Sequence, residues 1–194
     1  MENTFLNLPP QKRKKILDAL RREFSSVPFA EAEVKKIIES AKIPRGSFYQ
    51  YFKNLKEAYF YILDLYTLDT HQIFLDLLRK NNYDYENVFK EYGKQIANEV
   101  FDEEKKALYK FKFLYWTDEL EKDYLIYKKI SASSVDIKPV TLLCENEECM
   151  FIKAVVHDLI RRAFNGNWDK KFFLNIYNLH CTWMLGGLKN ARNI

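Results

Sequence analysis

Apolar residues recur along most of this chain at helical rather than strand spacing. From Pro10 to Phe24 one stripe carries Ile16, Leu17, Leu20 and Phe24, ringed by Lys12, Arg13, Lys14, Lys15, Arg21 and Arg22. A proline in the first turn suits the start of that helix. Ser25-Ser26-Val27-Pro28 breaks the pattern, and a second helix of about three turns follows, with Val34, Ile37, Ile38 and Ala41 on its apolar face. Ala41-Lys42-Ile43-Pro44 is a tight connection, because Pro44 cannot continue one helix but can open the next, over roughly Pro44 to Phe52. Two short helices joined by such a turn, the second holding Arg45, Ser47, Tyr49, Gln50 and Tyr51, form the helix-turn-helix pattern.

A long apolar pattern then runs from Asn54 to about Lys80, with Asn54 as N-cap and Asn81-Asn82 as the stop. Further helices are predicted over Asp84 to Phe101, Glu103 to Trp116 and Thr117 to Ile130, before a loop from Ser131 to Pro139. The last two, Asn146 to Phe164 and Trp168 to Leu188, join through Asn165-Gly166-Asn167 and read as an antiparallel pair. Their large apolar surface fits either an internal core or half of a four-helix interface with a second copy. The expected fold is all-α, with a three-helix helix-turn-helix head over residues 1–53 and a helical body over residues 54–194.

Composition agrees with this and narrows the function. At 47% hydrophobic residues the chain can bury a sizeable core, and 5 Gly with 5 Pro punctuate too few turns for an all-β fold. No stretch reaches about 18 uncharged apolar residues, and Met1 to Pro10 lacks the basic flank and apolar core of a leader, so a soluble cytoplasmic protein without a membrane partner is expected. Cys144, Cys149 and Cys181 are an odd number in a chain too large to need disulfide staples, and reduced thiols are expected. Charge is unevenly placed: residues 1–60 hold 12 Lys/Arg against 7 Asp/Glu, a net +5, whereas the remainder holds 19 against 20. A basic head on a near-neutral body is the electrostatic footprint of phosphate binding, which a solvated basic helix face also resembles.

The run Ile37-Ile38-Glu39-Ser40-Ala41-Lys42-Ile43-Pro44-Arg45-Gly46-Ser47-Phe48-Tyr49-Gln50-Tyr51-Phe52 resembles the signature of TetR/AcrR transcriptional regulators. Gly46, Ser47, Tyr49, Tyr51 and Phe52 fall in its register without a gap, and the likeness extends over roughly residues 10–63. It implies a homodimeric repressor that sets two recognition helices into successive major grooves of a palindromic double-stranded operator. It also implies a body in which a small-molecule effector changes the spacing of the heads. Carried over by position, Arg45 and Gln50 are the candidates for base edges, as arginine pairs with guanine and glutamine with adenine. Lys35, Ser47, Tyr49, Tyr51 and Lys53 are candidates for supporting contacts, chiefly to phosphate. Phe48 and Phe52 are expected to pack.

Three positions depart from the family pattern. Ala32-Glu33 stands where Thr or Ser usually opens the second helix, Lys42 replaces the turn glycine, and Leu55 replaces a lysine. A carboxylate at the second helix suits the helix dipole but repels phosphate. The alternative reading is therefore a helical small-molecule-binding or protein-interaction protein that keeps the head without operator binding.

In the body, Tyr66, Phe74, Tyr92, Phe111, Trp116 and Tyr127 could line an effector cavity, and core packing accounts for each of them equally well. Cys149 and His157 lie about 12 Å apart along one predicted helix, too far to share a metal. His180 and Met184, one turn apart, suit an interface or core. Without a Gly-rich phosphate loop, a nucleophile elbow or an HExxH motif, neither a catalytic site nor a metal or cofactor is expected.

Overall fold

A computed structural model describes residues 3–132 and 147–191. Among them are eleven α-helices, one short 3-10 turn and no strand. The helices are α1 (Asn3–Leu6), α2 (Pro10–Phe24), α3 (Val34–Ala41), α4 (Arg45–Tyr51), α5 (Leu55–Tyr66), α6 (Thr70–Lys80), α7 (Tyr85–Val100), α8 (Lys106–Tyr115), α9 (Asp118–Ala132), α10 (Glu147–Asn165) and α11 (Lys170–Ala191). Two compact units form, one of Met1–Thr67 with Ala107–Tyr127, the other of Leu68–Lys106 with Lys128–Ile194.

In the first unit α2 packs on α3 and α5, and α4 packs on α3 and α1. Ile16, Leu20 and Phe24 of α2 meet Ile37 of α3, Phe48 and Phe52 around α4, and Ile62 and Leu63 of α5 in one buried cluster, which Leu108 and Leu120 also join. Residues of α5, beyond the division at residue 53 expected from the sequence, share this cluster with the head. In the second unit α7 packs on α6 and α11, and α11 on α10. Phe74, Phe89, Tyr92, Ile96, Val156, Leu159, Phe173 and Tyr177 are buried there.

Local chemistry sets the boundaries. The single long helix expected from Asn54 to Lys80 is instead α5 and α6, separated at residues 67–69. Thr67 is extended, its hydroxyl donates to Leu63 O at 2.7 Å, and Asp69 Oδ1 accepts the Gln72 N–H at 3.3 Å to cap a new helix. The last helix likewise starts at Lys170 rather than Trp168, because Asp169 Oδ1 accepts the Phe172 N–H at 2.7 Å. Three helices end in the same way, with Lys42, Asn82 and Asn167 at positive φ (54°, 50° and 49°) and the following N–H bonded back to Ile38 O, Leu78 O and Ala163 O. Of the expected loop over residues 131–139, Ser131 and Ala132 are helical, and the rest, like Cys144, lies outside the described residues.

Candidate nucleic-acid interface

The α3–turn–α4 segment is built to hold one face of α4 outward. Phe48 and Phe52 are fully buried, as the sequence suggested, and their rings lie 5.6 Å apart. This leaves Arg45, Gly46, Tyr49 and Gln50 exposed, with Ser47 half-buried at the edge. The Arg45 guanidinium lies over the Tyr49 ring at 6.0 Å, which supports it without tying up its N–H donors. A Cβ added at Gly46 would meet no atom of the protein within 4 Å, so the absence of a side chain there serves no internal packing.

Lys35 on α3, Lys42 in the turn and Lys53 after α4 are all exposed. Lys42 is the left-handed residue of the α3 C-cap, where a side chain costs roughly 1 kcal/mol that glycine would avoid. Tyr51 behaves differently from the expectation of a phosphate contact. It is only 5% exposed and packs within the head cluster, so its ring supports α4 from beneath. Lys56 is held by Asp123 and by Glu119 at 3.4 Å, which leaves Lys53 as the exposed cation beside α5.

The N-terminus of α3 is occupied by carboxylates. Glu33 at the cap position makes no side-chain cap bond, and the buried Glu23 of α2 reaches across to accept the Glu33 N–H at 3.0 Å. Glu33 in turn pairs with Lys36 at 2.9 Å. The Lys36 hydrogen bond and charge hold the Glu33 carboxyl below its usual range, so it stays ionised. Lys36 lies within reach of both carboxylates, 2.9 Å from Glu33 and 4.0 Å from Glu23.

Sequence reasoning missed α1. Phe5 is fully buried against Tyr51, Phe52 and Tyr61, and the Thr4 hydroxyl donates to Gln50 O at 2.9 Å. Four residues are too few for a periodicity signal. Phe5, Leu6 and Leu8 ahead of Pro9 were the only trace.

The aromatic residues expected around an effector are divided between the two units. Tyr66, Phe111, Trp116 and Tyr127 belong to the first unit, and Phe74 and Tyr92 to the second. Tyr66 lies beneath Arg21 at 5.2 Å, Trp116 and Tyr127 pack on Phe60 at 6.2 and 5.5 Å, and Phe111 lies 6.0 Å from Tyr115. Phe74 packs edge-on to Tyr92 at 5.2 Å with both rings buried.

Residues 85–187 match the family described as "Tetracyclin repressor, C-terminal domain", and residues 16–58 match "Bacterial regulatory proteins, tetR family". The chain belongs to the TetR family. It is a DNA-binding transcriptional regulator with the helix-turn-helix head and helical C-terminal domain of that family. Its fold is similar to that of a TetR family regulator from Chloroflexus aurantiacus (19% identity, 96% of this chain and 97% of that one, TM-score 0.55). It is also similar to NalD, the secondary repressor of the MexAB-OprM multidrug efflux pump in Pseudomonas aeruginosa (17%, 90% and 96%, TM-score 0.61). A third similar fold is the fatty acid degradation regulator FadR from Bacillus halodurans (16%, 94% and 98%, TM-score 0.53). No curated protein matches the sequence. Among the described residues, no helix of this TetR family protein is long and apolar enough to cross a membrane.

Proposed function

We propose that this TetR family regulator is a repressor that binds a palindromic operator as a homodimer and responds to a small-molecule effector. The observation that carries the DNA part is the two-sided α4: Phe48, Tyr51 and Phe52 inward, Arg45, Tyr49 and Gln50 outward. In this reading Arg45 takes guanine O6 and N7, Gln50 takes an adenine edge, and Ser47, Tyr49, Lys35, Lys42 and Lys53 contact phosphates. Bare backbone at Gly46 lets the helix approach the duplex closely. The dimer forms through α10 and α11, which expose Met150, Phe151, Phe172, Leu179 and Trp183, more large apolar surface than a lone helix pair leaves to water.

Selection of bound duplexes from genomic fragments tests this reading. A two-fold symmetric site, lost selectively in Arg45→Ala at a cost of about 1–3 kcal/mol, is expected. Enriched duplexes without symmetry, or an Arg45→Ala protein that binds them unchanged, would defeat it. For the effector, the half-buried Tyr66, Phe111, Trp116 and Tyr127 are better candidates than Phe74 and Tyr92, whose burial leaves no face for a ligand. Quenching or shift of Trp116 emission on adding fractionated metabolites, absent in Trp116→Phe, is the expected signal.

One observation favours a second reading, a helical small-molecule-binding or protein-interaction protein without operator binding: the carboxylates of Glu23 and Glu33 at the end of α3. A folded dimer that enriches no duplex at physiological salt would establish it over the first.

A further inference from the structure

We propose that the N-terminal turn, Asn3–Leu6, is a positioning element for the recognition helix, and that Thr4 and Phe5 set the readout of DNA without touching it. The proposal rests on the reading of α4 as the base-reading helix. That helix has seven residues, a length at which isolated helices do not persist. It lacks a side-chain cap at Pro44, and its last carbonyls have no partner within the helix. One of these is Gln50 O, the main-chain oxygen of the residue whose side chain is proposed to read adenine.

The turn meets these needs from outside. Thr4 Oγ1 donates to Gln50 O at 2.9 Å, across 46 residues of sequence. The Phe5 ring, with no exposed surface, sits 5.9 Å from the Tyr51 ring, 5.0 Å from Phe52 and 5.7 Å from Tyr61, so it clamps the end of α4 to α5. The turn is itself fastened to α2, where Arg13 Nη1 donates to Leu6 O at 3.0 Å. A short chain segment thus joins α2, α4 and α5 around the one helix whose orientation decides which bases are met. Thr4 and Phe5 are uncharged and spend their polar and apolar contacts inward. Their loss therefore changes the aim of α4 and leaves the charge presented to phosphate intact.

The test uses the full-length protein with Thr4→Val, which keeps shape and removes the donor, Phe5→Ala, and Phe5→Leu as a conservative partner. Hydrogen exchange is read in peptides covering α4 and, as an internal reference, α10. Amides of α4 should exchange about 2- to 10-fold faster in Thr4→Val and faster still in Phe5→Ala, with partial recovery in Phe5→Leu and no change in α10. On a selected duplex, the ratio of specific to non-specific affinity should fall by a similar factor while the salt dependence keeps its slope. Unchanged exchange in α4 would overturn the proposal, and so would equal losses of specific and non-specific binding. Arg45→Ala is measured alongside: if it leaves selectivity intact, the base-reading assignment fails, whereas the exchange result still decides whether the turn positions α4.

Discussion

Replacing Gly93 with alanine should destabilise the second unit, although alanine is the better helix former. Gly93 lies in the middle of α7, where α11 passes, and a Cβ built there would stand 2.3 Å from Tyr177 Cε1 and 2.6 Å from Cδ1. Carbon atoms prefer about 3.5–4.0 Å, so the ring would have to retreat by more than 1 Å. It has nowhere to go: Tyr177 has no exposed surface, and its hydroxyl donates to Phe89 O at 2.9 Å. That carbonyl lies one turn before Gly93, so the missing side chain is what lets the ring lie flat against α7 and reach it.

Overpacking of this kind costs about 1–3 kcal/mol, and a lost buried hydrogen bond adds about 1 kcal/mol. The gain in helix propensity from glycine to alanine returns about 1 kcal/mol. A net loss of about 2 kcal/mol follows, or roughly 4–8 °C in Tm for a chain of this size, measured by circular dichroism at fixed protein concentration. Gly93→Ala combined with Tyr177→Leu should lose less than the sum of the two single changes, because the new methyl fills space that leucine vacates. A Tm at or above that of the parent in Gly93→Ala alone would show that the ring moves freely, and the account of α7 against α11 would be wrong.

At Lys42, glycine should raise stability by about 1 kcal/mol through relief of the left-handed residue while shallowing the salt dependence of DNA binding by about one contact per head, read from melts and from titrations at several salt concentrations. Gly46→Ala should leave Tm unchanged or higher, since its methyl meets nothing in the protein, yet weaken duplex binding; equal affinity would remove the close-approach role of Gly46. Burial pushes the Cys181 thiol from its usual 9.0 to about 11 and raises the Tyr59 and Tyr177 hydroxyls above their usual 10.0. All three hold their protons more tightly when folded, so their contribution is intact below about pH 9. It is lost as pH rises through the window from 9 to 11 and beyond, and Tm against pH should be flat near neutrality and fall above 9.

How much of this was legible in the sequence depended on whether a residue's role is set locally. The stripe Ile16, Leu20 and Phe24 gave α2 to the residue, and the apolar periodicity of Val34, Ile37 and Ala41 gave α3, because helix period is a local signal. The inward placement of Phe48 and Phe52 followed from their register on α4. Tyr51 did not: its spacing allows either side, and burial is decided by Phe5, 46 residues earlier. The break between α5 and α6 was hidden because Tyr66 and Thr70 keep an acceptable helical pattern across it. The Asp69 carboxylate, which accepts the Gln72 N–H, and the extended Thr67, whose hydroxyl donates back to Leu63 O, mark two short helices in place of one long one. For the six body aromatics composition says that rings are plentiful and nothing about which of them meet.

The departures from the family pattern form one consistent arrangement in the head. No hydroxyl caps α3; Glu23 accepts the N–H of the N-cap residue Glu33, and Lys36 stands beside both carboxylates. The cap offers phosphate no hydroxyl, and on α3 Lys35 is left for that contact. Lys42 adds a cation in the turn, at the price of a strained backbone, and Lys53 remains exposed where Lys56 is drawn away to Asp123 and Glu119. Exposed cations thus stand at both ends of α4, Lys42 before it and Lys53 after it. Phosphate contacts made on either side of the reading helix hold it closely in the groove but constrain its tilt less than a contact at the far end of α3 would. Tilt must then be fixed from within the protein, and the Phe5 clamp between α4 and α5, with Thr4 on Gln50 O, lies where that restraint is needed.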